Sequence, residues 1–110
     1  MTFSISVEDS GTTRIAIAGG LDIVSVTELR PALEKVIAEK PARVEVDLSA
    51  LRMLDSSGVG ALVSLYKRVR AQGGHLVVSG LRDQPLAIFK LLRLDRVMVG
   101  AEMLSHKAST

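Results

Sequence analysis

The sequence predicts a single α/β domain, a mixed sheet of four to five strands with about four helices, in which strands and amphipathic helices alternate. Three observations predict it. Short runs such as Phe3-Ser-Ile5-Ser-Val7 alternate apolar and polar residues, the period of a strand exposed on one face. Between those runs the apolar spacing lengthens to three and four residues, the period of a helix packed on one side. Finally, 110 residues with 47% hydrophobic side chains can bury one core but not two, and no linker, repeat or low-complexity segment divides the chain, so residues 1–110 read as one domain.

The elements follow in order. Phe3, Ile5 and Val7 make a first strand, Asp9-Ser10-Gly11 a turn, and Ile15 and Ile17 a second strand, together a hairpin. Gly19-Gly20 is expected to end that strand. A helix over about residues 26–39 places Leu29, Leu33, Val36 and Ile37 on one face, with Pro31 near its start, where a missing N–H costs least, and Pro41 beyond its end. Val44, Val46 and Leu48 then alternate with Arg43, Glu45 and Asp47 as a third strand, and a loop is expected to follow. A second helix begins near Ser56 and stops at Gly73-Gly74, after which residues 75–79 form a fourth strand. Asp83 is placed as the cap of a third helix running to about residue 93, with Leu86, Ile88, Phe89 and Leu92 inward. Residues 97–99 suit a short fifth strand, and residues 101–110, with little pattern beyond Met103 and Leu104, a terminal helix or a frayed tail.

Charge and residue usage exclude several functions. The formal balance is +2, with both signs scattered and only 3% aromatic residues, so neither a basic patch nor a stacking platform for nucleic acid is present. With no cysteine, disulfide and thiolate chemistry are excluded and a reducing cytoplasm is the expected compartment. His75 and His106 have no neighbour at ligand spacing, so no metal is expected, and no cofactor either. No leader-like segment opens the sequence and no run of 18 apolar residues occurs, so no membrane span is expected.

The second helix holds the candidate site. At 100° per residue Val59, Leu62, Val63, Leu65, Tyr66 and Val69 share one arc that packs on the sheet, and Gly58 lies at its edge, where a missing side chain allows close approach. The opposite face carries Ser57, Gly60, Ala61, Ser64, Lys67 and Arg68, small side chains ending in two cations. That face reads equally as a docking surface for a partner or as a plain solvated face. Ser56 stands where an N-cap belongs, worth about 1 kcal/mol, and is also placed to be a nucleophile or a phosphoacceptor. A nucleophile needs a base, which neither histidine supplies, and relative to Ser57 the position of the first glycine in a G-x-S-x-G turn is occupied by Asp55. Gly58-Val59-Gly60 lacks the lysine of a phosphate-binding loop. An enzyme or nucleotide-binding domain is therefore disfavoured.

The run from Asp47 to Leu62, DLSALRMLDSSGVGAL, together with KRVRAQGGHL from Lys67 to Leu76, resembles the STAS domain, and more narrowly the bacterial anti-sigma factor antagonists. Gly19-Gly20-Leu21-Asp22 and LLRLDRVM from Leu91 to Met98 extend the resemblance over nearly the whole chain. The resemblance implies a STAS-type fold and a partner switch without enzymatic activity. Unphosphorylated, such a protein binds an anti-sigma factor serine kinase and frees a sigma factor; phosphorylation of the serine after the motif aspartate, here Ser56, ends binding, and a serine phosphatase restores it. By the same resemblance Asp22, Asp55, Ser57 and Gly58 lie near the phosphoacceptor. The family commonly carries an acidic or polar residue where this chain has Gly20, which removes a possible polar contact beside the site. The alternative is a STAS subunit of another assembly, such as a lipid-transport ABC complex, a stressosome or a partner switch without a sigma factor.

Overall fold

The computed structural model describes residues 1–99, so the expected terminal helix or tail, and His106 with it, lie outside the described residues. Four strands, β1 (Thr2–Val7), β2 (Thr13–Leu21), β3 (Arg43–Leu54) and β4 (His75–Ser79), form one sheet in chain order. The first two pair antiparallel as the predicted hairpin, Ile5 opposite Ile15. The others pair parallel, each reached by a helical crossover. Those helices are α1 (Ile23–Ala38) and α2 (Ser56–Ala71), followed by α3 (Asp83–Leu91) and the single turn α4 (Asp95–Met98).

One face of the sheet makes the core. Ile15, Ile17, Val44, Val46, Leu48, Leu76 and Val78 are buried with Leu29 and Leu33 of α1, Leu62, Leu65 and Val69 of α2, and Phe89 of α3. Their partners in the period-two pattern form a polar open face. There Arg14 bridges Glu45 at 2.8 Å and Asp47 at 2.6 Å, and the Ser79 hydroxyl donates to Glu45 at 2.8 Å. At the outer edge Phe3, Ile5 and Val7 share the apolar side of Ile15 and Ile17, yet all three remain exposed.

Several boundaries differ from the sequence reading, and the causes are physical. Gly19-Gly20 does not end β2, which continues to Leu21 with Gly19 at φ 91, a conformation glycine adopts without strain. No loop follows Leu48, because β3 continues to Leu54 alongside β2. Two register shifts, between Ala16 and Ala18 and between Gly19 and Gly20, each give β3 an extra residue. They break the alternation, so Leu48, Leu51 and Leu54 are buried at intervals of three and the run no longer looks like a strand.

The first helix starts at Ile23 rather than near residue 26, which puts Pro31 in its interior. Pro31 is exposed, so the Thr27 carbonyl that loses its amide partner is on the solvent side. Asp83 is the first residue of α3, at φ 54, rather than its cap; Arg82 holds the cap position with no side-chain bond. Leu92 lies outside the helix and is 50% exposed, against the inward placement expected of it, whereas Phe89 is fully buried and Leu86 and Ile88 are half-buried. In place of a fifth strand, residues 95–98 form the turn of α4, and Val99 makes a single bridge to Val78.

Candidate functional site

The site lies where β2 and β3 end side by side. Leu21 and Leu54 are register partners, and in both strands the next residue is an aspartate that caps a helix. Asp22 Oδ1 accepts from the Ser25 amide and the Ser25 hydroxyl, each at 2.9 Å. Those bonds hold the Asp22 carboxyl below the usual carboxylate range, the amide bond contributing most. Asp55 Oδ1 accepts from the amides of Ser57 at 3.0 Å and Gly58 at 3.1 Å.

This corrects the role expected of Ser56. Asp55 is the N-cap, with extended backbone at φ −109 and ψ −175, and Ser56 is the first residue inside α2. An aspartate one residue earlier supplies the acceptor that the first-turn amides need, which releases the serine from that duty. Ser56 is exposed, and among the described residues its hydroxyl makes no hydrogen bond.

Gly58 is buried beneath this turn. A Cβ there would lie 2.6 Å from both the Leu21 carbonyl oxygen and Leu54 Cδ1, so close approach of helix to sheet requires glycine, as its place on the helix predicts. Gly20 is different, because a Cβ would meet only the Met53 side chain at 3.8 Å, an ordinary contact. Space does not dictate that glycine. Met53 beside it is 59% exposed.

The small face of α2 does not project freely. Ser57, Gly60, Ala61, Ser64 and Arg68 line a cleft of 270 Å³ against α1, opposite Ile23 and Arg30. Arg68 pairs with Glu34 of α1 across it, and this bond lowers the Glu34 carboxyl's proton affinity. Lys67 is exposed outside the cleft, so the two expected cations have separate environments.

Sequence reasoning missed three contributors. Ile23 and Val24, 67% and 65% exposed, open α1 beside Asp22; their apolar character was visible, but the helix was expected to begin after them. Gln84 of α3 bonds the backbone of Leu54 in both directions, at 2.9 Å each, and nothing local in the sequence signals a contact 30 residues away. Among the described residues no cluster of three potential metal ligands occurs, and no helix is long and apolar enough to cross a membrane.

Comparison with known proteins agrees with this architecture. The family described as Mlab, STAS domain matches residues 6–104. The chain belongs to the STAS domain family. This STAS domain is 28% identical over 100 residues to an anti-sigma-B factor antagonist of Listeria monocytogenes, covering 89% of the chain and 88% of the relative. It is likewise 28% identical over 99 residues to the anti-sigma-B factor antagonist of Bacillus subtilis, covering 89% and 90%. Among solved structures it is similar to an anti-sigma factor antagonist from Mycobacterium paratuberculosis, with a TM-score of 0.77 and 26% identity over 88% of this chain and 81% of that one.

Proposed function

We propose that this STAS domain is a cytoplasmic anti-sigma factor antagonist that acts as a binder and a substrate rather than an enzyme. Its unphosphorylated form binds an anti-sigma factor serine kinase and so releases a sigma factor. Phosphorylation of Ser56 ends that binding, and a serine phosphatase reverses it. The observation that carries this reading is the Ser56 hydroxyl, exposed and without a hydrogen-bond partner among the described residues, on a first helical turn already capped by Asp55.

The energetics favour a switch of binding over a switch of folding. A helix N-terminus stabilises a nearby anion by roughly 0.3–1 kcal/mol, while each carboxylate about 4 Å away opposes it by about 1 kcal/mol in water. Both helix-capping aspartates are already bonded to helix amides, and among the described residues the Ser56 hydroxyl has no hydrogen bond to lose. At an interface the balance changes, since a dianion stripped of water without a paired cation costs several kcal/mol, about 10³-fold in affinity. The apolar rim of Ile23, Val24 and Met53 and the cleft bounded by Ser57, Gly60, Ala61 and Ser64 suit a partner whose docking excludes water from Ser56.

The test is incubation with the anti-sigma factor kinases of the same organism and Mg-ATP, mass mapping of the phosphate, and pull-down of both forms. Ser56→Ala should fold, bind constitutively and take up no phosphate; Ser56→Asp should fold and lose the kinase. Stoichiometric phosphorylation of Ser56→Ala would move the acceptor to Ser57. Stable capture of a transporter ATPase, with no kinase bound, would instead place the domain in another assembly.

A further inference from the structure

We infer that Gln84 is a positioning residue for the phosphoacceptor turn, its side-chain amide replacing a missing β-strand at the last residue of β3. The inference rests on Ser56 being the acceptor. On one side β3 is paired with β2 all the way to Leu54. On the other, β4 accompanies it only from Arg43 to Asp47, opposite His75 to Ser79. Beyond Asp47 that edge has no strand neighbour among the described residues, and backbone groups left unpaired in a partly buried strand are costly.

At Leu54 the gap is filled by one side chain. The Leu54 amide donates to Gln84 Oε1 and Gln84 Nε2 donates to the Leu54 carbonyl, both at 2.9 Å. A primary amide presents one acceptor and one donor side by side, the same pair that a neighbouring strand offers. Gln84 is half-buried, and the adjacent Pro85 is buried, so α3 has a fixed seat from which to reach the strand. The next residue is Asp55, whose amide donates to the Leu21 carbonyl and whose carboxylate caps α2. Leu54 is therefore held from both flanks, by Leu21 through Asp55 and by Gln84 directly, immediately before the turn that aims Ser56.

A kinase must bring a hydroxyl to the γ-phosphate within a narrow geometry, and small misplacement lowers the rate of transfer more than it lowers binding. Loosening Leu54 should thus act on kcat. Two variants separate the possibilities. Gln84→Met keeps the length and removes both bonds; Gln84→Glu keeps an acceptor for the Leu54 amide but sets a carboxylate against the Leu54 carbonyl in place of the donor.

Hydrogen exchange on the intact chain reads the local effect. Exchange at the Leu54 and Asp55 amides should rise roughly tenfold in Gln84→Met, with the amide of Val46 in mid-strand changed much less. Phosphorylation by the cognate anti-sigma factor kinase with Mg-ATP should show kcat lowered by about tenfold and KM within about twofold, with the phosphate still on Ser56. Gln84→Glu should fall at least as far as Gln84→Met. Unchanged exchange at Leu54 and Asp55 in Gln84→Met overturns the inference, as does an undiminished kcat despite faster exchange. If the parent chain itself takes up no phosphate from any kinase of its organism, the proposed function fails, and exchange alone then decides whether Gln84 holds the turn.

Discussion

The backbone amide of Asp55 donates to the carbonyl of Leu21 at 3.3 Å, tying the start of α2 to the end of β2. Because Leu21 also precedes Asp22, this bond ties the cap of α2 to the residue just before the cap of α1. The candidate site is thus built as a repeated unit, strand then aspartate then helix, set twice side by side at the C-terminal ends of the two central strands.

Removing the cap at Asp55 should cost stability without removing the helix. Asp55→Ala is expected to lose about 1 kcal/mol, because the amides of Ser57 and Gly58 lose their acceptor. Asp55→Ser, which retains an N-cap oxygen, should recover most of it. Urea unfolding at neutral pH, read by far-UV circular dichroism, measures both.

The two glycines of the α2 N-terminal half should respond oppositely to alanine. In Gly58→Ala the new methyl meets the Leu21 carbonyl and Leu54 Cδ1 at 2.6 Å, and the resulting shift of helix against sheet should destabilise the domain by about 1–3 kcal/mol. In Gly60→Ala nothing lies within 4 Å, and the gain in helix propensity should stabilise it by up to about 1 kcal/mol. Equal midpoints for the two variants in denaturant would contradict this packing.

Acid should weaken the fold partly through Asp22. Its folded pKa lies below the ordinary value, chiefly through the Ser25 amide bond, so the folded state favours the ionised form. That contribution is fully present above the unfolded carboxylate value of about 4 and is lost as pH falls through the lower folded value. Asp22→Asn, which can still cap, should show a shallower fall in unfolding midpoint between about pH 5 and pH 2. Glu34 and Asp47 are also lowered, so some acid sensitivity should remain.

Phe89 anchors α3 to the core with no exposed surface. Phe89→Ala should cost about 3–5 kcal/mol, a large share of a small domain's stability. Loss of near-UV ellipticity and a lower thermal midpoint would report it.

The helices and the central strands were legible because their apolar periods are regular: Leu29, Leu33 and Val36 on α1, Leu62, Leu65 and Val69 on α2, Val44 and Val46 on β3 are all buried as their spacing predicts. Reading failed where tertiary pairing overrides local pattern. The second half of β3 is a strand only because β2 lies beside it, and its bulges hide the alternation. The position of Ser56 was legible to within one residue, yet its capping role was misread, since serine and aspartate both cap and only the backbone conformation of Asp55 decides between them. The cleft was half legible: the small face of α2 could be seen, but not that α1 lies across it, because a facing helix leaves no mark on its neighbour's sequence. Gln84 was not legible at all, since its contact with Leu54 depends on how α3 folds back.

The two bulges in β3 also serve as a ruler. With uniform pairing at the register of the strand starts, Leu21 would stand beside Arg52, and the residue level with Asp22 would be Met53. Two added residues move the chain forward until Asp55 reaches that level and Ser56 turns the corner into α2. An insertion or deletion of a single residue between Asp47 and Leu54 would therefore leave the composition of the motif intact and misaddress it, delivering Leu54 or Ser56 to the place where the cap belongs.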